Sequence, residues 1–476
     1  MSDYQIVIGI EVHVQLNTSS KLFSPASTAF GAKSNSQADI RDLGLPGVLP
    51  ILNKGAVEKA LMFACAIDAN INQHCDFSRK NYFYPDLPKG YQITQHANPI
   101  ISSGRIEIST ETGEKVIRIH QAHLEEDAGK SIHDVDGSNI DLNRAGNPLL
   151  EVVSEPDLFS IEDAVTYCKT LHHLVRFIDI CDGNMQQGNF RCDVNVSLRK
   201  NNTDPFGTRV EIKNINSFKF IEKALKYEVK RQSKLLDAGQ AIVQETRLYD
   251  ENKDITRSMR SKENANDYRY FPEPDVPPLL ISDSWIKTAR SALPELPAVK
   301  LKRYQDVYAL PSKEVTALLS EKTIAEYFDA LVKADITPKD ACNWLLSVIL
   351  GVIYDQKKTL VEGFGELMPS VVAALIKEVN QKSISHTSGK KVLEYIFIHR
   401  ENDIDKVIDT LGLRLVSDDA SLKAWINEVF EENPKQLEQY RSGNERLFGF
   451  FVGQVMKKSQ GGADPQKVNQ MLKDML

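Results

Sequence analysis

The stretch Ile6-Val7-Ile8-Gly9-Ile10-Glu11-Val12-His13-Val14-Gln15-Leu16 near the N-terminus has the pattern of a β-strand with two different faces. Its even positions are aliphatic throughout, whereas from position 9 onward the odd positions carry Gly9, Glu11, His13 and Gln15. Successive side chains of a strand point to opposite sides of the sheet. Glu11 and His13 therefore project from the same, polar side of one strand.

Two later stretches repeat this division. Positions 191–199 send one set of polar side chains one way and apolar residues the other, and positions 209–213 do the same. A solvated face of an antiparallel sheet would explain any one of these strands alone. Taken together, the three strands predict a sheet with a chemically dense polar side, which carries Arg191, Asp193, Asn195, Ser197, Arg199, Arg209, Glu211 and Lys213.

Three consecutive acids lie in the segment HQAHLEEDAGK at positions 120–130. Carboxylates with one imidazole and no thiolate suit Mg²⁺ or Mn²⁺ better than Zn²⁺. A hard divalent ion beside Arg and Lys side chains is typical of a site that neutralises a triphosphate during phosphoryl transfer. The alternation leaves open whether Glu125 or Glu126 points at such an ion.

Two basic segments rich in aromatic residues, at positions 78–91 and 256–270, complete the predicted site. Arg and Lys would hold phosphate oxygens, and a Tyr ring would stack on a base. A surface loop with solvated charges explains either segment taken singly. The string Gly129-Lys130-Ser131 is no P-loop, because position 124 is Leu where that motif requires Gly. The candidate nucleotide-binding residues are Arg79, Lys80, Lys89, Arg260 and Lys262.

Composition limits the class of protein. A chain of 476 residues predicts about three domains. The net charge of -7 excludes a protein whose whole surface holds nucleic acid, so any such contact is local. The start of the chain has no basic segment before an apolar run, and no apolar run is long enough to span a membrane, which predicts a cytoplasmic protein. The six scattered cysteines predict reduced, buried thiols.

The texture of the chain changes near residue 290. Before it, short strands alternate with turns and two long helices, at 160–178 and 217–238; after it, helical patterns follow one another. The proline-rich segment 272–278, with Pro294 and Pro297 beyond it, predicts a linker. A second break lies near residues 403–405. We therefore predict an α+β protein with domains at 1–292, 293–404 and 405–476.

Several long strings carry a family resemblance, in the order IGIEVHVQL, LGLPGVLP, SRKNYFYPDLPKGYQI, HLEEDAGKS, DLNRAGNPLLEVVSEPD, GNFRCDVNVSLR, GTRVEIKNINSF, QETRLYD and TRSMRSKENANDYRYFPEPD. Together they resemble the B-subunit family of the glutamine-dependent aspartyl/glutamyl-tRNA amidotransferases, the GatCAB complexes. The match runs from residue 6 to about 280, and the helical remainder resembles that family's helical and tail domains.

The resemblance implies a fold, a reaction and a set of site residues. The fold is a glutamine-synthetase-like cradle with a mainly antiparallel sheet, then an all-α helical domain and a small all-α tail related to a tRNA-contacting domain. The reaction is phosphorylation by ATP of the side-chain carboxylate on misacylated Glu-tRNA(Gln) or Asp-tRNA(Asn), followed by displacement of phosphate by ammonia. The metal-binding and catalytic residues carry over to Glu11, His13, Glu126, Asp193 and Glu211, so the resemblance selects Glu126 over Glu125.

The resemblance also implies cofactors and partners. ATP and Mg²⁺ are expected at the cradle. Some family members carry a zinc knuckle before the LGLPG string, but positions 36–42 read SQADIRD here, so no structural zinc is expected. The chain contains no Gly-Gly-Ser-Ser-Gly-Gly amidase string. This implies two protein partners of a GatCAB complex, the amidase (its A subunit) and the small C subunit, with misacylated tRNA as substrate.

Two other hypotheses compete with this one. The first is a non-catalytic tRNA-binding scaffold, and the second is a metal-dependent phosphohydrolase. Acids clustered at Glu11, Glu126, Asp193 and Glu211 would repel RNA phosphates unless a cation lay among them. This favours the enzyme over the scaffold.

Overall fold

The structure, a computed structural model, describes residues 4–134, 137–261, 268–416, 418–459 and 462–476. The chain divides at residue 297 into two compact units. The first is built on a large sheet, and the described part of the second is helical apart from one isolated bridge between Val416 and Ala463. This confirms the predicted α+β class, with a mainly antiparallel sheet followed by helices.

A twelve-stranded sheet organises the first unit, in the order β14-β13-β12-β11-β1-β10-β7-β5-β4-β15, with β6 on β7 and β2 on β6. All these pairs are antiparallel except β12 with β13. Two short pairs, β3 with β16 and β8 with β9, lie outside it. The strands are β1 (Gln5–Gln15), β2 (Asn70–Ile71), β3 (His74–Cys75), β4 (Ser78–Asn81), β5 (Tyr91–Thr94), β6 (Ile101–Thr110), β7 (Gly113–Glu126), β8 (Lys130–Asp134), β9 (Gly137–Asp141), β10 (Pro148–Ser154), β11 (Phe190–Arg199), β12 (Val210–Ile215), β13 (Glu245–Asp250), β14 (Ile255–Ser261), β15 (Phe271–Pro272) and β16 (Leu279–Leu280).

The N-terminal strand β1 lies in the middle of this sheet, between β10 and β11. Its residues Ile8, Ile10, Val12 and Val14 are buried in one apolar core, and the partly buried Ile6 packs against that core. The same core takes in helices α1 (Lys54–Ala66), α2 (Ile161–Phe177) and α3 (Phe218–Asp237). Ser160 and Ser217 cap α2 and α3 by accepting hydrogen bonds from backbone N–H groups three residues on. Both long helices are thus confirmed.

The proline-rich segment belongs to the first unit. Phe271–Pro272 pairs with β4, and Leu279–Leu280 pairs with β3. Helix α4 (Asp283–Ala292) then packs on α1. Strand pairing therefore holds the predicted linker segment, residues 272–278, within the first unit.

The helical unit contains α5 (Pro297–Lys302), α6 (Ser312–Leu318), α7 (Lys322–Lys333), α8 (Pro338–Trp344), α9 (Leu350–Asp355), α10 (Leu360–Glu366), α11 (Pro369–Asn380), α12 (His386–His399), α13 (Ile404–Leu411), α14 (Asp419–Glu432), α15 (Pro434–Arg441), α16 (Phe448–Lys458) and α17 (Pro465–Met475). A π-helical turn at Leu345–Ile349 joins α8 to α9, so residues 338–355 form one helical run with a wider turn in its middle. Helices α14, α16 and α17 share a small core of their own. Asp464 caps α17, as its sequence indicates.

A buried ion pair holds the loop that follows β1. Lys21 is fully buried, and its Nζ lies 3.0 Å from Oδ2 of Asp42, which also accepts from the Ser24 hydroxyl. Gly146 lies against the same carboxylate at a positive φ of 86°, where a Cβ would come within 2.7 Å of Oδ1 of Asp42. Only glycine fits there without displacing the pair.

The six cysteines are all buried and unpaired, as predicted. In the described part of the chain, no helix has both the length and the apolar character that crossing a bilayer requires.

Candidate active site

Five neighbouring strands, β7, β10, β1, β11 and β12, place their polar residues in one row across the sheet. The register sets Glu151 of β10 opposite both His13 and His123. Glu11 stands opposite Asp193, and Asn195 stands opposite Glu211. The alternation within each strand then turns these side chains to the face opposite the apolar core.

His13 is the centre of one half of the row. Its Nε2 lies 3.2 Å from Glu151, 3.6 Å from Glu125 and 3.7 Å from Glu11. The Nε2 of His123 lies 3.6 Å from Glu151 and 3.8 Å from Glu125. Donor atoms of Glu11, His13 and Glu151 therefore form one group close enough to share a metal ion, and His123, Glu125 and Glu151 form a second group.

Lys213 is the centre of the other half. Its Nζ lies 2.7 Å from Asp193 and 3.3 Å from Glu211. The buried hydroxyl of Thr246 donates to Oε2 of Glu211 at 2.6 Å and so fixes that carboxylate. Of the predicted residues, the structure thus brings Glu11, His13, Asp193 and Glu211 to one face.

The acids are crowded enough to change one another's protonation. Burial, followed by the charge of Glu151, raises the pKa of Glu11 to about 7. Burial alone would lower the pKa of His13, but its hydrogen bond to Glu151 and the charges of the three glutamates outweigh that effect and raise it to about 9. A protonated imidazole is therefore held among carboxylates, which indicates that this face needs added positive charge.

Glu126 lies elsewhere. Its carboxylate is bound by the Lys89 ammonium group and by the backbone N–H of Ile93. It follows Glu125 on β7, so its side chain projects from the opposite face of the strand. The structure places Glu125, and not Glu126, beside His13, and the assignment of Glu126 to the metal stays a prediction.

The predicted nucleotide-binding residues separate into three groups. Arg79 is held by Glu273 through two hydrogen bonds of 2.7 and 3.0 Å, and Lys89 is held by Glu126. The ammonium group of Lys80 lies 5.2 Å from the centre of the Tyr268 ring, and the charges of Glu125 and Glu151 raise its pKa. Only the backbone of Arg260 is described, and Lys262 lies outside the described residues. Among the candidates whose side chains the structure describes, Lys80 is thus the one near Glu125 and Glu151 of the polar row.

A cavity of about 510 Å³ opens beside Asp193. Its wall combines many side-chain amides with Lys130, Arg144 and Arg191. Arg191 donates from its terminal nitrogen to Asp127 at 2.9 Å. A volume of this order is typical of small-molecule sites.

Comparison with known proteins identifies the family. The sequence model of the GatB/GatE catalytic domain matches residues 6–287, and that of the GatB domain matches residues 326–476. The chain belongs to the GatB family. The first match covers the whole of the polar row and the cavity beside it.

Three relatives are similar to the chain over its whole length. Proteins named as the B subunit of aspartyl/glutamyl-tRNA(Asn/Gln) amidotransferase are 52% identical in Thioalkalivibrio sulfidiphilus, with 100% of both chains covered, and 50% identical in Nitrosococcus oceani, with 99% of both covered. The protein of that name in Coxiella burnetii is 49% identical, again over 100% of both chains. The GatB resemblance seen in the sequence is therefore confirmed.

The sequence pattern missed two members of the row. Glu151 is a single acid inside the apolar run Pro-Leu-Leu-Glu-Val-Val-Ser of β10, and an isolated buried charge of this kind is a usable signal. His123 shares its face of β7 with Glu125 two positions on, which the alternation rule alone indicates.

The donor set of this GatB chain fits a hard divalent cation. Glu11, Glu125 and Glu151 supply carboxylate oxygens around His13, and no cysteine lies among the metal-ligating groups found in the described residues. Oxygen donors with an imidazole suit Mg²⁺ or Mn²⁺.

Proposed function

We propose that the chain is the component of a tRNA-dependent amidotransferase that converts misacylated Glu-tRNA(Gln), Asp-tRNA(Asn) or both to the correctly charged glutaminyl or asparaginyl form. ATP phosphorylates the side-chain carboxylate, and ammonia then displaces the phosphate. The observation that carries the proposal is the row of carboxylates, imidazoles and Lys213 on one sheet face, in a chain similar over its full length to proteins named for this activity.

The chemistry explains why such a row is needed. A carboxylate is a poor electrophile, because loss of oxide is not feasible, whereas an acyl phosphate has a good leaving group. ATP and the substrate carboxylate are both anionic and repel each other on approach. The residues that would hold Mg²⁺ are Glu11, His13, Glu125 and Glu151, with Asp193 and Glu211 across the row. When bound, the ion would offset negative charge on the phosphates.

The protein's own groups supply the remaining positive charge. Asp193 and Glu211 hold Lys213 between them. Its ammonium group would donate to a phosphate oxygen that approaches these two acids. Lys80 faces the acids from strand β4 of the same sheet. Fixed charges of this kind stabilise a transition state without reorganisation during the reaction.

The acids disfavour the scaffold hypothesis. Without a bound metal ion, an RNA-docking surface with the carboxylates of Glu11, Glu125, Glu151, Asp193 and Glu211 would repel the phosphate backbone. A metal-binding catalytic centre gives each of these carboxylates a ligand role.

We also propose the partners. A separate amidase would supply ammonia, a small third protein would complete the complex, and the misacylated tRNA would contact the small tail after residue 405. Support for the last point comes from the tail's separate core and from its lysines and arginines.

The test is substitution of Asp193 by Asn in the assembled complex. We expect tRNA-dependent ATP hydrolysis and amidation to fall by at least about 100-fold, because a ligand charge is lost, while glutamine hydrolysis by the amidase partner continues. Glu107→Gln, an exposed acid of β6 in the same sheet, is the matched control and should leave all three activities unchanged.

Three results would contradict the proposal. Full amidation activity of the Asp193→Asn complex would show that Asp193 is not part of the catalytic site. Absence of tRNA-dependent ATP hydrolysis in the wild-type complex would support the scaffold, and metal-dependent cleavage of simple phosphoesters would support a phosphohydrolase.

A further inference from the structure

The wall of the cavity beside Asp193 contains two buried polar atoms that have no hydrogen-bond partner among the described residues. Asn147 is only 5% exposed, and its Oδ1 accepts no hydrogen bond within the part of the chain that the structure describes. The Nε of Arg191 is likewise buried and donates to no described group. Both residues line the same cavity. A buried polar atom without a partner lowers the stability of the folded state, so such an atom in a cavity wall marks a place that a ligand can complete.

The two atoms have opposite requirements. The amide oxygen of Asn147 is an acceptor and needs a donor, whereas the Nε–H of Arg191 is a donor and needs an acceptor. A ligand that satisfies both must therefore present N–H and oxygen groups together.

The surroundings of both residues are fixed in advance. Asn147 is held at the start of β10, where its N–H donates to Arg144 and its C=O accepts from Asp127. Asp127 also accepts from the terminal nitrogen of Arg191 at 2.9 Å, which leaves the Nε edge of that guanidinium in place for a further partner. The site is thus built before a ligand enters.

We propose that this cavity binds the aminoacyl end of the charged tRNA. Asn147 accepts a hydrogen bond from the α-ammonium group of the amino acid, and Arg191 donates to its side-chain carboxylate. The inference rests on the proposed function and adds the recognition of the amino acid. The wall carries charges of both signs, Asp141 and Asp193 together with Lys130, Arg144 and Arg191, and a substrate with both an ammonium group and a carboxylate matches such a wall. It also brings the side chain to be phosphorylated to the edge of the acid row.

The experiment compares Glu-tRNA(Gln) with the same tRNA carrying Nα-acetyl-glutamate, in which the α-ammonium group is replaced by an uncharged amide. Amidation by the assembled complex is measured as kcat/KM for each substrate. We expect the wild-type complex to prefer the free amine by at least about tenfold, because a site built for a hydrogen-bonded charge rejects an analogue that lacks it.

Three variants then locate the preference. Asn147→Leu should lower kcat/KM for Glu-tRNA by at least about tenfold and bring the preference close to one, since the acceptor is lost. Asn147→Asp keeps the acceptor and the shape and should retain the preference. Glu107→Gln changes an exposed acid of β6 that does not line the cavity and should leave the preference at its wild-type value.

Each contrary result is distinct. A wild-type preference near one overturns the inference, even if Asn147→Leu fails to fold. A wild-type preference retained by Asn147→Leu also overturns it, and a raised KM for ATP with an unchanged preference would assign the cavity to the nucleotide instead. A wild-type complex that amidates neither substrate would instead overturn the proposed function.

Discussion

The two faces of the central sheet differ although the same strands build both. On β1, Val12 is fully buried in the apolar core, while its neighbours Glu11 and His13 stand in the row of acids and imidazoles. The apolar face is satisfied within the chain, because its side chains pack against other apolar groups. The polar face is not satisfied within the chain, because its carboxylates are partly buried beside one another; burial, followed by the charge of Glu151, raises the pKa of Glu11 to about 7.

The difference shows how one sheet can carry both a stabilising core and a binding site. One side of each strand stabilises the folded state. The other side carries charges that destabilise it until a cation arrives, and such opposition between stability and activity is common at catalytic sites. Substitutions one position apart should therefore have opposite effects.

The largest effect is expected from Val12→Asp. A carboxylate at this position would be buried among aliphatic side chains without a partner, and we expect the free energy of unfolding to fall by at least about 4 kcal/mol. Circular dichroism of the purified chain during urea unfolding measures this. Glu11→Gln, one position earlier on the opposite face, is the control and should fold; a well-folded Val12→Asp protein would show that the two faces are not distinct.

A smaller effect of opposite sign is expected from Glu11→Gln itself. Without metal, removal of a disfavoured charge should raise the free energy of unfolding by about 1 kcal/mol. Mg²⁺ at 100 times its Kd should stabilise the wild type by about 2.7 kcal/mol and the variant by less. Urea unfolding in EDTA and in Mg²⁺ gives both values, with Glu107→Gln as control. Equal stabilisation of both proteins by Mg²⁺ would exclude Glu11 as a ligand.

Removal of residues 418–476, which contain the tail core, is expected to affect the two faces of the sheet least. Its effect should appear in tRNA binding instead. We expect tRNA affinity of the complex to fall by about tenfold at 0.1 M salt, with a shallower salt dependence, because phosphate contacts are lost. The stabilisation by Mg²⁺ should not change. If affinity and salt dependence both match those of the full-length complex, the tail is no tRNA-binding element.

Much of the fold follows from local pattern. The alternation in β1 predicted which residues share a face, and the helical patterns at 160–178 and 217–238 predicted α2 and α3. These features depend on neighbours a few residues apart, and the sequence displays those directly.

The site depended on information that is not local. Whether Glu125 or Glu126 faces His13 is set by the pairing of β7 with β10, in which Glu125 stands opposite Leu149 and His123 opposite Glu151. A shift of one residue would exchange the two glutamates. The pairing of Lys89 with Glu126 joins positions 37 residues apart, so the sequence pattern did not reveal it.

The central position of β1 also has a consequence for synthesis. This strand leaves the ribosome before both of its partners, because β10 and β11 end only at Ser154 and Arg199. At about 5–20 residues per second, the second partner follows about ten to forty seconds later. During that time a strand that is apolar on one side has no place in a sheet, which exposes it to wrong pairing. The nascent chain is therefore expected to need shielding by a chaperone until β11, which ends at Arg199, has been synthesised.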